Sequence, residues 1–489
     1  YEIKETHLFT MVLPSIYYND GSYLKWIRVG WALKNTHEKL FLTWMKFSSQ
    51  STSFTFRDIE TYYNMWKSFE TKNEKGLTNR SIMFWAKIDN EKKYKEIREQ
   101  TISYYIDQTI EIFLMKGKVG EFDLANVLYQ MFKDKFVCVS VKNNQWYEYK
   151  KNKWNEVDSG NTLRLKISKD MHDIYMKKCH LYLENTHNEI KSDDNEEITE
   201  KFKKRASAYG DICIMLKTTS WKNNIMKEAK DLFYDREFMN KLDSNPQLLG
   251  FNNFVVDFEN KTYRKGRADD YISKSTNIDY LPFNSLKGPH PTDNNITYET
   301  IIEEINQFIN ELFPNIELRG YMWDHLASVL IGTNDNQTFN IYTGSGANGK
   351  SKLVELMGKA LGEYKATVPI TLITQNRNSI GSTSPEIVQL MGVRYACMQE
   401  PSKGDKINEG IMKEITGSDP LQGRALYQSS CVFIPQFKLV VCTNTLFAIV
   451  SNDDGTWRRI RVCDFMSKFK EKPMKNDKDE PYQFKVNKK

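Results

Sequence analysis

Nothing in this chain of 489 residues is long and apolar enough for a bilayer; no run approaches the ~18 apolar residues that a spanning helix needs. No secretory leader is visible, and the sequence opens on Tyr1, as a piece cut from a longer chain would. Paired cysteines are missing too. The seven present, at positions 138, 179, 213, 397, 431, 442 and 463, are odd in number and scattered. None stands at the C-x2-C spacing of a zinc site, and Cys179 and His180 are adjacent, not spaced as ligands. The pattern speaks against a disulfide framework and a zinc module, and inert thiols in a reducing compartment are expected. Nor does one sign of charge dominate: a formal net charge of +6 is compatible with a polyanionic partner but argues only weakly for one. What the chain does have is apolar content, 40% hydrophobic and 13% aromatic, which suffices for several cores and two to four domains.

Residues 1–95 concentrate tryptophan, with Trp26, Trp31, Trp44, Trp66 and Trp85. They read as a small helical domain whose rings form its core, stacking on bases being the rarer use of such rings. Helix continues over residues 96–133. A β-meander follows at residues 137–141, 145–149 and 153–157, with turns at Asn143-Asn144 and Lys151-Asn152. Residues 188–197 are acidic and read as a solvated loop, after which helices resume over 199–242. Residues 248–263 read as a hairpin. Its Asp257 and Glu259 share a strand face, as metal-binding carboxylates do, but without a third acid or a histidine nearby a simple turn is favoured. Residues 281–295, with three prolines, are the best linker. Helices over 297–313 and 323–331 then lead into the next core. The stretch 468–489 carries eight lysines and two prolines and reads as a flexible, solvated tail.

The most specific signal is Gly344-Ser345-Gly346-Ala347-Asn348-Gly349-Lys350-Ser351, which fits the phosphate-binding loop G-x-x-x-x-G-K-[ST]. Glycines let the backbone turn tightly and bring its N–H groups to a polyphosphate. Lys350 reaches β/γ oxygens and Ser351 holds Mg²⁺. A short strand at 339–343 enters the loop, and a helix from Ser351 to Leu361 leaves it with its positive dipole end on the phosphates.

Such a loop needs an acid and a polar sensor on neighbouring strands, and both follow in order. Residues 393–398 form a strand candidate ending in Gln399-Glu400, where Glu400 can polarise the attacking water. Gln399 takes the place of the usual first acid, so Mg²⁺ relies on Ser351, water and Glu400. Residues 437–444 are a nearly continuous apolar run suited to a strand buried on both faces, ending in Asn444, which would orient the water. Arg458 and Arg459 follow; an arginine donated by a neighbouring subunit neutralises charge in phosphoryl transfer.

Taken together, these residues resemble a superfamily 3 helicase of the large-DNA-virus (poxvirus-like) primase–helicase family. Residues 344–351 are similar to its motif A, 394–401 to motif B, 413–427 to the B-prime motif, 439–444 to motif C and 457–460 to the arginine-finger region. Residues from about 100 to 290 resemble the domain preceding the helicase, and residues 1–95 a primase C-terminal helical domain. The fold so implied is an α/β P-loop ATPase core, AAA+-like, with N-terminal helical and mixed α+β accessory domains. Its boundaries are 1–95, 96–290, 291–466 and a basic tail, 467–489.

The resemblance further implies an ATP- and Mg²⁺-dependent DNA helicase of viral replication, acting as a homo-hexamer, with pairing of two rings left open. It implies a primase domain in cis that this stretch lacks, no membrane, and cytoplasmic replication factories of the infected cell. Lys350, Ser351, Glu400 and Asn444 would act from one subunit. Lys413, Arg458 and Arg459 are candidates to act from the next, with Arg459 preferred as the finger. A hairpin within residues 421–435 would grip single-stranded or forked DNA through Arg424, Tyr427 and Gln428, its tip carrying no lysine or histidine. Two rival readings are a P-loop phosphotransferase acting on a small substrate and a non-enzymatic DNA-binding scaffold.

Overall fold

The computed structural model describes the whole chain except residues 20, 70–76, 193–195, 376–382, 400, 402–405, 426–429, 447–448, 450–452, 475–476 and 488–489. The chain divides into two compact units, residues 1–133 with 162–233 and residues 134–161 with 234–489.

Within its described residues the first unit is helical. Trp44 and Trp66 lie at the centre of its N-terminal core with Phe9 and Phe47, as expected for a packed aromatic set, whereas Trp31 is exposed. Trp26 stacks on Trp44 with ring centroids 4.7 Å apart. Gly30 makes room for this: a Cβ there would stand 2.8 Å from the Trp44 ring. The loop expected at 188–197 differs: residues 188–192 end a helix, His172–Ser192, that carries no glycine or proline, and the next helix begins at Glu196, with residues 193–195 outside the described ones.

The second unit opens with the expected meander, Phe136–Ser140, Gln145–Lys150 and Lys153–Asp158, paired antiparallel. Its second turn has Lys151 and Asn152 both left-handed, at φ 54° and 61°, the backbone that a two-residue hairpin turn requires. The hairpin expected at 248–263 is a three-stranded sheet reaching Arg264. Asp257 accepts hydrogen bonds from the Asn260 backbone and side chain at 3.0 and 2.9 Å, so it closes the turn. Burial alone would raise its pKa, but these donors prevail and hold it below the ordinary carboxylate value. Helix α1, Tyr298–Leu312, is capped by Thr297. Helix α2, Ile316–Ser328, starts well before the expected residue 323 because Asn315 caps it, its side chain accepting from Leu318 N–H at 3.0 Å.

The strands that follow are β1 (Phe339–Thr343), β2 (Lys365–Thr367), β3 (Tyr395–Gln399), β4 (Leu421–Arg424), β5 (Ser430–Phe433), β6 (Lys438–Thr443) and β7 (Ile460–Asp464). Five of them form one sheet in the order β2-β3-β6-β1-β7, every neighbouring pair parallel. Strand residues alternate between two cores. Tyr342, Tyr395, Cys397, Val440 and Cys463 enter one, and Phe339, Ile341, Ala396, Met398, Leu439 and Val441 the other. Burial on both faces is why β6 reads as a nearly continuous apolar run. Strands β4 and β5 form a separate antiparallel hairpin.

The tail departs from expectation. Strands β8 (Lys468–Lys470) and β9 (Gln483–Lys485) pair in parallel. Ser467, fully buried, donates to the Glu311 carbonyl at 2.6 Å, and the ring of Phe469 packs on the core of the sheet. Two apolar residues, Phe469 and Phe484, anchor a lysine-rich stretch that composition alone presents as solvated.

Candidate nucleotide site

Residues 344–349 leave the carboxyl end of β1 and run into helix α3, Lys350–Leu361. Gly344, Gly346 and Gly349 have φ of 156°, 95° and 81°, and Ala347 is left-handed at 51°, so the loop curls its backbone around a small volume. A Cβ on Gly344 would stand 1.8 Å from Asn348 Nδ2, which shows how closely the cradle is drawn. Lys350, buried, donates to the Gly344 carbonyl at 2.8 Å, to Asn348 Oδ1 at 3.2 Å and to Asn444 Oδ1 at 3.1 Å. Asn444 directly follows β6, the strand beside β1, so two residues 94 positions apart meet because two parallel strands end side by side. Ser351 is exposed in the first turn of α3.

Strand β3 ends at Gln399 on the far side of β6. Glu400, the expected water-polarising acid, lies outside the described residues, as do Tyr427 and Gln428. The hairpin expected within 421–435 is present as β4 and β5, with Arg424 opposite Ser430 at the last described pair. Arg424 is exposed there, and its backbone N–H donates to Ser384 Oγ at 3.1 Å.

The three residues expected to act on a neighbouring subunit are placed differently from one another. Lys413 pairs with Asp453. The hydrogen bond from Lys413, with backbone donation from Gly455, holds the Asp453 carboxyl down at about 2. Arg459 is buried, and its guanidinium donates to the Gly455 carbonyl at 2.6 Å and to Gln337 Oε1 at 2.9 Å. Burial, and then the charge of Arg458, lower its pKa. Arg458 is exposed and donates to the same Gln337 oxygen at 2.7 Å. Gln337 sits in a left-handed turn before β1, at φ 49°.

Sequence reasoning missed the groups that brace the loop from behind. Asn348 Nδ2 donates to the Phe465 carbonyl at 3.2 Å, and Lys468 Nζ to the Gly346 carbonyl at 2.8 Å. The Phe465 and Phe469 N–H groups donate to the carbonyls of Thr343 and Ala347, both at 2.9 Å. Asn348 occupies a variable position of the motif, and nothing in residues 465–469 marks them as partners of a loop more than 100 residues away.

All seven cysteines are free. Burial raises the thiols of Cys213 and Cys442 to about 11 and those of Cys397 and Cys463 to about 12, so these four are inert thiols, as expected. Among the described residues no cluster of three or more His, Cys, Asp or Glu is arranged for a metal ion. Among them, too, no helix is long and apolar enough to cross a membrane.

Two families match the chain: "Primase C terminal 2" over residues 11–86 and "D5 N terminal like" over residues 125–314. A protein of Acanthamoeba polyphaga mimivirus described as a "putative helicase" is 34% identical over 448 residues, covering 91% of this chain and 44% of the viral protein. The chain belongs to the primase–helicase family of large DNA viruses. Another member, a "putative primase" of African swine fever virus (strain Badajoz 1971 Vero-adapted), is 26% identical over 498 residues, 99% of this chain and 49% of the viral protein. The chain thus spans about half the length of the viral relatives it matches. Among solved structures, the apo C-terminal region of NrS-1 aligns over 42% of this chain and 44% of its own at 15% identity, with a TM-score of 0.29, too slight a likeness to bear on the fold.

Proposed function

We propose that this chain is the motor of a viral replication helicase, an AAA+-like P-loop ATPase of superfamily 3 that works as a hexameric ring on single-stranded and forked DNA. The observation that carries this reading is the meeting of Lys350 and Asn444 at the carboxyl ends of adjacent parallel strands. In open α/β sheets that end is where ligands bind, and the glycine cradle beside it fits a polyphosphate.

ATP supplies the anhydride bond and Mg²⁺ the neutralising charge. The chain's residues do the rest. Lys350, bonded to Gly344, Asn348 and Asn444 among its partners, would exchange Asn444 for phosphate oxygens, which frees Asn444 to orient water. The Ser351 hydroxyl, in the first turn of α3, would hold the metal, and Glu400 would serve as its second contact and as the general base. Arg458, exposed, suits a role in trans better than Arg459, whose guanidinium is buried in its own protomer; the preference therefore moves to Arg458. Lys413 joins it after parting from Asp453. An arginine supplied in trans is worth roughly 10³–10⁵ in rate. The β4–β5 hairpin, with Arg424, Tyr427 and Gln428, would hold the strand, and contacts to phosphate make that grip salt-dependent and indifferent to sequence.

In this reading residues 1–95 are a primase C-terminal-like domain, 96–290 the domain preceding the motor, 291–466 the ATPase and 467–489 an appended basic segment. A primase domain in cis and work in cytoplasmic replication factories complete it. The test is ATP turnover of the wild type and Lys350→Ala with and without single-stranded DNA. Stimulation by DNA in the wild type, abolished in the variant, is expected. Turnover indifferent to DNA would point to a phosphotransferase, and DNA binding without turnover to a scaffold.

A further inference from the structure

We propose that the groove between helix α1 and strand β9 receives the base of the bound nucleotide, an assignment that rests on the phosphate-loop reading above. The groove has a volume of about 390 Å³ and is lined by Glu303, Asn306, Gln307, Asn310 and Glu311 of α1 and by Phe484 of β9, which is within the range of small-molecule sites.

Its position ties it to the phosphate cradle. The Phe484 ring lies 6.0 Å from that of Phe469. The Phe469 N–H is bonded to Ala347 of the loop, and its ring edge lies 3.3 Å from where a Cβ on Gly349 would stand. Leu312, the residue after Glu311, approaches that same point to 2.4 Å. One wall of the groove is therefore a single residue away from the loop, and a nucleoside whose phosphates rest on residues 344–350 has its base within reach of it.

The chemistry of the lining suits a base. Three carboxamides offer both donors and acceptors, which the mixed edge of a nucleobase requires. Phe484 offers an aromatic face for stacking. Among the described residues no lysine or arginine lines the groove, and its two carboxylates would repel a phosphate, so it is not an extension of the anion site. The Glu311 carboxylate accepts from Gln307 Nε2 at 2.8 Å, which holds one of the carboxamides in a set orientation.

Calorimetric titration of the folded chain with two probes, ATP and inorganic tripolyphosphate, tests this. Phe484→Ala and the exposed-site variant Asn310→Ala are each expected to weaken ATP roughly ten-fold and to leave tripolyphosphate unchanged, while Lys350→Ala weakens both. Phe484→Trp is expected to restore ATP binding, and its added emission to be quenched by ATP but not by tripolyphosphate. Undiminished ATP binding in both alanine variants, or an equal loss for the two probes, overturns the base assignment. If the wild type binds neither probe, the nucleotide reading falls, and the base site with it.

Discussion

The three glycines of the phosphate loop differ in what an added methyl group would meet, and replacing each by alanine in the nucleotide-free protein separates backbone strain from crowding. At Gly346 a Cβ would find nothing within 4 Å. The cost is then only that of holding alanine at φ 95°, about 1–2 kcal/mol. At Gly349 the strain is joined by a contact of 2.4 Å with Leu312 Cδ1, a branch tip that can rotate away, for about 2–3 kcal/mol in all. At Gly344 the Cβ would stand 1.8 Å from Asn348 Nδ2 and 2.9 Å from the Phe465 carbonyl oxygen, which is backbone and cannot yield. The Asn348 carboxamide must leave, and with it go its bonds to Phe465 and Lys350. One neutral and one charge-assisted hydrogen bond, added to strain, amount to about 3–5 kcal/mol. Hydrogen exchange of the amides from Asn348 through the first turn of α3 reads these local costs. The expected order of destabilisation is Gly344→Ala, then Gly349→Ala, then Gly346→Ala. In an Asn348→Ala background, Gly344→Ala should lose much of its effect. A Gly346→Ala variant as damaging as Gly344→Ala, or no relief from Asn348→Ala, would refute the crowding argument.

Three further outcomes follow. Arg459→Ala should lower stability by about 1–3 kcal/mol by stranding its acceptors, whereas Arg458→Ala should leave the melting curve in place and remove DNA-stimulated turnover; the reverse pattern would return the finger to Arg459. Burial, and then the Lys438 charge, press His325 from 6.5 down to about 4, so the folded state holds it neutral. Its contribution is fully present above pH 6.5 and is lost as pH falls toward 4, by about 3 kcal/mol, and a His325→Met variant should show a flatter pH dependence in denaturant titrations of this unit. Arg394, buried, donates to the carbonyls of Pro246 and Leu248, both at 2.9 Å, and a Cβ on Gly332 would stand 1.3 Å from its Nη1. Gly332→Ala should therefore cost about 3–5 kcal/mol by evicting the guanidinium, and far less in an Arg394→Ala background; equal costs in the two backgrounds, measured as a double-mutant cycle, would sink the eviction mechanism.

Sequence by itself determined the features whose physics is local. The phosphate loop is one, because left-handed glycines, the strand before and the helix after lie within about two dozen consecutive positions. The meander is another, its Lys151-Asn152 turn being set by two residues, and so is β6, whose nearly continuous apolar run reports burial on both faces. The order of loop, acid strand, asparagine and arginines was legible too, as an ordered set whose members had yet to be brought together. Only the tertiary structure decided which of two adjacent arginines is buried, because that depends on Gln337, more than 120 positions away. It also turned a lysine-rich tail into a brace, since Phe469 and Phe484 find partners that no periodicity announces. The Lys350–Asn444 contact and the groove beside α1 have the same origin. They arise where chain ends and strand ends converge in space, and convergence across 94 or more positions is a property of packing, which leaves no mark in the spacing of residues along the chain.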